Sequence, residues 1–304
     1  MSVEVITYGK VTWVNIEKPI PEDMEYLREE YNFHPLDLED CLSPIERPKI
    51  DEYEDYLFIV MHFPIYNRDQ QVSQPSEVDF FIGARYLITV HEGNLKPMAR
   101  LFDECQQDEE KRREFMSKGA ARLLYAILDY LVDYIMPILY KVSSNIRQIE
   151  RDMFTEDMRH IVRGISIVRR DIIALRRIIK PQIAIVSNLE HRDRPFIQDE
   201  LDVYFGDIVD AFSKAWDTLE DHEDIMEALS DTSDSLTSYR INEVMRILTV
   251  ISVLMLPLTL VSGIYGMNVH LPLGQHPWGF FYVVSFMVLI GGGMLLYFRH
   301  RGWL

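Results

Sequence analysis

Two textures of hydrophobic and polar positions divide this chain. Through the first hundred residues, β-branched and aromatic residues come in short runs at 3–6, 11–16, 57–63, 78–81 and 86–90, which predict strands. Gly83-Ala84-Arg85 reads as the turn of a hairpin, and the polar stretch 70–76 as an exposed loop. Segments 21–31 and 35–42 each open at a proline suited to a first helical turn and predict helices. Pro44 and Pro48 break the chain before the next strand. From about residue 118 glycine and proline thin out, and apolar residues recur at intervals of three and four. This spacing predicts one helix over 119–154. A second follows over 156–190, with Thr155 as N-cap and Pro181 as a point of bending, and a turn at 191–195. A third run opens near Asp199 with apolar or small residues at 201, 205, 208, 212, 215, 219, 226 and 229, a heptad-like seam interrupted by His222. Helical as far as Tyr265, it would extend about 100 Å at 1.5 Å per residue. Such a rod predicts a stalk rather than a core helix.

The seam runs into a different pattern. Positions 247–265 and 278–298 form nineteen and twenty-one consecutive residues without a charge, each enough to cross a hydrocarbon core of about 30 Å as a helix. Helices buried in a soluble core rarely stay apolar on every face for five turns. The pattern therefore predicts an α+β membrane protein in three parts: an α/β domain over 1–118, a helical bundle and stalk over 119–246, and a transmembrane part over 247–304 with its loop at 266–277. Arg240 and Arg246 precede the first span, Arg299 and Arg301 follow the second, and the loop has no Lys or Arg. The positive-inside rule then puts both termini in the cytoplasm. Trp278, Tyr282, Tyr297 and Trp303 stand where interfacial aromatic belts are expected.

Charge narrows the partners. A net charge of −17 argues against nucleic acid, which binds clustered Lys and Arg, and favours cations. Thirteen carboxylates lie between Asp199 and Asp234 against Lys214 alone, while the preceding helix carries Arg159, Arg163, Arg169, Arg170, Arg176, Arg177 and Lys180. Complementary helix faces and attraction of divalent cations are both compatible with that segregation. Cys41 and Cys105, the two cysteines, form no CxxC pair, which disfavours a zinc or disulfide framework and suits a reducing compartment. The N-terminal segment MSVEVITYGK reads as neither a signal nor a transit peptide.

Two spans cannot enclose a water-filled path, so conduction would need several copies. On the first span Asn242, Met245, Thr249, Ser252, Leu256, Thr259 and Gly263 follow a three-four spacing and collect most of its polar side chains. A stripe of hydroxyls and small residues suits a symmetric helix bundle, conducting or not. Gly291-Gly292-Gly293 in the second span would allow close approach or a bend. After the first span stands Tyr265-Gly266-Met267-Asn268, preceded by Asn242-Glu243-Val244-Met245-Arg246 and Met255-Leu256-Pro257-Leu258-Thr259. Further upstream are HPLDLEDCL at 34–42, RPKIDEYEDYLFIV at 47–60 and LLYAILDYLVDYIMPIL at 123–139. This series resembles the CorA family of divalent-cation transporters over nearly the whole chain.

The resemblance implies a funnel-shaped homopentamer whose first membrane helices line a pore for Mg2+, with Co2+ or Ni2+ as further cargo and no organic cofactor. By that resemblance Gly266, Met267 and Asn268 sit at the outer mouth, Thr259 and the Gly263 carbonyl are further stations, and Asn242, Met245, Leu248 and Leu256 mark narrow or gating levels. It also implies closure by cytosolic Mg2+ bridging carboxylates between neighbouring chains. Asp207 and Asp231 match acidic positions of the stalk, and Glu92 or Asp103 stands in for an N-terminal partner. No GxxxxGK[ST] motif for ATP occurs. The loop departs from the pattern: it lacks the acidic residue of many relatives and carries His270 and His276. Imidazole suits zinc, cobalt or nickel, which keeps the zinc-transporting ZntB branch open. A non-conducting tethered cation sensor is a further alternative. A hydrolase using Asp37 and Asp40 lacks an accompanying nucleophile constellation.

Overall fold

A computed structural model of the chain describes residues 2–155, 157–190, 197, 199–267, 271–272 and 276–303. Its contacts divide it into two compact units, Met1–Ser230 and Asp231–Leu304.

The first unit is built on one six-stranded sheet, in the order β1-β2-β6-β5-β4-β3. The strands are β1 Val3–Tyr8, β2 Val11–Glu17, β3 Lys49–Glu52, β4 Tyr56–Asn67, β5 Val72–Gly83 and β6 Tyr86–His91. Only β2 and β6 pair in parallel; the other neighbours are antiparallel. The pleat sends alternate residues to opposite faces. Val14, Ile16, Phe58, Val60, Phe81, Ile88 and Val90 form a core with Met24 and Leu27 of α1 (Pro21–Tyr31) and Leu38 of α2 (Pro35–Asp40). On the opposite face Trp13 meets Phe102 of α3 (Lys96–Gln107) edge to face at 4.9 Å. A short α4 (Glu109–Met116) follows, then α5 (Ala120–Asp133), α6 (Ile135–Asp152) and α7 (Met158–Glu190). Both sheet faces are covered, so the central strands are buried almost throughout.

Four expectations need correction. The polar stretch 70–76 is not all loop, because β5 begins at Val72 and pairs Val72 with Asn67 and Ser76 with Phe63. Ser73 N there donates to the buried Asp171 of α7 at 2.6 Å, so tertiary hydrogen bonding decides what composition does not. The helix expected over 119–154 is interrupted at Tyr134. Pro137 has no N–H for the Asp133 carbonyl and its ring crowds it. Thr155 does not cap α7. Asp157 Oδ1 accepts from Arg159 N at 3.2 Å instead. β3, α3 and α4 add elements to those predicted. The helix α7 runs on through Pro181, and the expected turn at 191–195 and Glu156 lie outside the described residues.

A 3-10 turn at Asp199–Leu201 leads into α8, Asp202–Tyr265, 64 residues long. Its seam follows its spacing within the first unit as far as Met226: Leu201, Phe205, Ile208, Phe212, Ala215, Leu219, His222 and Met226 are all buried, and Leu229 is half-buried. Phe212 approaches Phe63, and Phe205 approaches Tyr125. In the second unit α8 is followed by α9, Gly279–His300.

Among the described residues, length and hydropathy alone select three helical stretches able to cross a membrane, Ala120–Asp152 among them. Burial separates them. The apolar window of Ala120–Asp152 is 44% buried, whereas those of α8 and α9 are each 6% buried. The α5–α6 stretch serves the core of its own unit; α8 and α9 leave their apolar surface uncovered.

Candidate ion path and acidic face

Within the second unit, the rotation of α8 decides which side chains are free. At 3.6 residues per turn, Asn242, Met245, Thr249, Ser252, Leu256, Thr259 and Gly263 fall on one stripe, and every one is exposed. The opposite side faces inward. Val250 is 1% exposed, Leu258 lies across from Gly291 of α9, and Val261 lines a groove with Tyr282, Val283 and Phe286. The polar stripe thus points away from α9. Thr249, Ser252 and Thr259 donate their hydroxyls to the carbonyls of Met245, Leu248 and Met255 at 2.7–2.8 Å. The donors are consumed within the helix, and the hydroxyl lone pairs stay outward as acceptors.

The helix ends where a side chain would obstruct it. Gly266 N donates to Ser262 O at 2.9 Å, and a Cβ on Gly266 would lie 3.2 Å from that same oxygen. Met267 is exposed beside it, while Asn268 and His270 lie outside the described residues. His276 Nδ1 accepts from Trp278 N at 3.2 Å at the start of α9, leaving Nε2 as its other ring nitrogen. Of the three consecutive glycines, only Gly291 comes near another helix: a Cβ there would meet Leu258 at ordinary contact distance, 3.8 Å, and Gly292 and Gly293 face open space.

In the first unit, Asp207 is exposed on α8 and lies within electrostatic reach of Tyr125 and Asp129 of α5. Arg122 of α5 stacks over Tyr125 and over Tyr204 of α8, at 4.6 and 4.1 Å. Beside this contact Asp129, Asp133 and Asp207 converge. Burial first, then the charges of Asp133 and Asp207, raise the Asp129 carboxyl above its usual range against the opposing pull of Arg122. Burial and neighbouring like charges both disfavour the ionised form of a carboxyl. Asp129 was not singled out in the sequence; its i, i+4 spacing to Asp133 was the available signal. Glu92 and Asp103 are exposed at other points of this unit, and Asp231 is exposed in the other.

The complementary helix faces are realised at one point among the described residues. Arg176 of α7 pairs with Glu220 at 3.4 Å and with Glu223. The other six basic residues of that helix form no salt bridge among the described residues.

A family model described as "CorA-like Mg2+ transporter protein" matches residues 8–300. The chain belongs to the CorA family. The cobalt/magnesium transport protein CorA of Thermotoga maritima is 31% identical over 96% of this chain and 83% of its own length. The zinc transport protein ZntB of Pectobacterium carotovorum is 22% identical over 99% of this chain and 90% of its own. Among solved structures, the complete CorA magnesium transporter of Methanocaldococcus jannaschii superposes with a TM-score of 0.87, at 24% identity over 98% of this chain and 94% of that one. The CorA fold thus extends over the N-terminal α/β part, the long helix and the apolar C-terminal helices. At the level of family, this is a divalent-cation transporter.

Proposed function

We propose that this CorA protein is a homopentameric channel of the cell membrane that admits Mg2+, with Co2+ and Ni2+ as further cargo. The observation carrying this reading is the exposed three-four stripe of α8, turned away from α9 and ending at Gly266-Met267-Asn268. Copies arranged about an axis would bring these stripes together and give the remaining apolar surface to lipid, with both termini in the cytoplasm. Five Asn268 amides would then form a neutral ring at the outer mouth. Magnesium sheds water reluctantly, and neutral amides can hydrogen-bond a hydrated ion without trapping it. Thr259 and the Gly263 carbonyl would receive the ion next. Leu256, Leu248 and Met245 form apolar constrictions able to block flow by dewetting, with Asn242 as the innermost polar level. Two charges crossing about 100 mV gain roughly 4.6 kcal/mol, a concentration ratio above a thousand without chemical turnover.

For regulation, Asp207 with Asp129 and Asp133 is the acidic face best placed to hold cytosolic Mg2+ and favour closure, with Asp231 and Glu92 as secondary carboxylates. ZntB similarity and His276 support a second reading, zinc transport. One experiment separates the two: uptake into proteoliposomes under an inside-negative potential, comparing Mg2+, Co2+, Ni2+ and Zn2+, with Asn268→Ala in parallel. Magnesium-dominated flux lost in the variant is the expected result. Zinc-dominated flux transfers the assignment to the zinc branch, and absence of all flux leaves a tethered sensor.

A further inference from the structure

On the α1/α2 side of the sheet lies a second group of carboxylates, remote in sequence from α8. Asp37 and Asp40 of α2 and Asp51 of β3 each bring an oxygen within 4.8 Å of the others. The Lys49 ammonium reaches into this group, 2.7 Å from Asp40 and 2.6 Å from Asp51. Its position marks where positive charge is favoured, yet one ammonium faces three carboxylates. Tyr53 and Tyr56 donate to the two Asp37 oxygens at 3.0 and 2.8 Å and fix that carboxylate's orientation, as outer hydrogen bonds do for metal ligands.

An independent feature points the same way. Asp79 of β5 is 3% exposed, and its Oδ1 has no hydrogen-bond partner among the described residues. It pairs across the sheet with Val60, which pairs in turn with Lys49, so Asp79 and Lys49 share a row and a face. The Cys41 thiol hydrogen-bonds the Asp79 side chain, which also lies within electrostatic reach of Asp40 and Lys49. The Oδ1 atom, left without a donor, calls for an explanation, and positive charge held in the nearby carboxylate group supplies one.

We propose that Asp37, Asp40 and Asp51, backed by Asp79, form a binding site for a hard divalent cation such as Mg2+, which exchanges with the Lys49 ammonium. The donors are all oxygens, the set that Mg2+ takes with several waters retained. Lys49 is about one-third exposed on a flexible stem of a short edge strand, so it can release into solvent when the ion enters. The N-terminal unit thereby carries its own divalent-cation contact, separate from the Asp207 face and independent of which ion the pore conducts.

The full chain in detergent micelles, titrated with Tb3+ under tyrosine excitation, tests this. Tyr53 and Tyr56 adjoin the site and sensitise an ion held by Asp37. The expected result is a sensitised emission component that Mg2+ displaces, that Asp51→Asn removes and that Asp207→Asn leaves in place. Lys49→Gln removes the competing ammonium and strengthens Mg2+ displacement by about tenfold or more. It serves as the deciding variant if Asp51→Asn fails to fold. Emission and Mg2+ displacement unchanged by both Asp51→Asn and Lys49→Gln would overturn the proposal and return the cluster to a closed ion-pair network.

Discussion

The two units solve opposite solvation problems with the same twenty side chains. In the sheet unit, apolar residues find partners inside the chain: Trp13, Phe58, Phe63, Phe80 and Phe81 are at 0% exposure. Buried polar groups there are linked to one another. Trp13 Nε1 donates to Thr89 at 3.1 Å, Thr89 donates to Asn15 Oδ1 at 2.7 Å, and His91 Nε2 meets the same oxygen at 3.1 Å. Gly93 N donates to His91 Nδ1, which leaves the proton on Nε2. In the helical hairpin the apolar residues lie outside and the hydroxyls close on their own helix. On the channel reading proposed above, lipid and further copies would cover them. The lesson is that exposure carries opposite meanings in the two units: a defect to be avoided in one and, on the proposed channel reading, the working surface of the other.

The largest expected effect tests the inward half of that contrast. Phe80→Ala should cost the sheet unit about 3–5 kcal/mol through lost transfer energy and a cavity, read as a lower midpoint of chemical unfolding. Leu256→Ala, equally apolar but at 70% exposure, should leave that midpoint within about 0.5 kcal/mol. Equal losses at both positions would erase the distinction. Asn268→Ala comes next, with Mg2+ uptake lower by roughly a hundredfold and no shift in unfolding. That factor corresponds to about 2.7 kcal/mol of lost ion stabilisation.

The chain itself announces much of this division. Uncharged spans and the Gly-Met-Asn signature are local in sequence, and so are the heptad positions from Leu201 to Met226. What stayed hidden depends on distant partners. β3 is an edge strand spelled Lys-Ile-Asp-Glu, too polar to read by alternation, and the first half of β5 is a strand because β4 and α7 satisfy its backbone. α3 has Met98, Leu101, Phe102 and Cys105 at helical spacing, a signal present but not used. Asp129 joins Asp207 across 78 positions of sequence, which no local pattern reveals.

Acid titration sharpens the comparison at intermediate scale. Burial lowers the His91 pKa from 6.5 to about 4. Between those values the unfolded chain binds a proton that the folded unit refuses, so stability is fully present above pH 6.5 and falls as pH falls toward 4. The total is on the order of 3 kcal/mol. His91→Gln should flatten this limb of a stability-against-pH curve; an unchanged slope would assign it to other groups. The smallest effects concern two glycines. Gly93 has φ +75°, and a Cβ there would collide with the Glu17 side chain, so Gly93→Ala should cost about 1–3 kcal/mol. Gly291→Ala should be tolerated within about 1 kcal/mol, since its Cβ finds ordinary contact with Leu258.

The central claim is that the exposed stripe of α8 lines the ion path. Cys41 and Cys105 are both buried, so the native chain offers a quiet background for single cysteines introduced along α8. Mg2+ influx into proteoliposomes is measured before and after a small cationic thiol reagent. The account predicts block at 249, 252, 256 and 259 and none at 254 and 258, on the side that meets α9. Block at 254 and 258 with the stripe insensitive would contradict it.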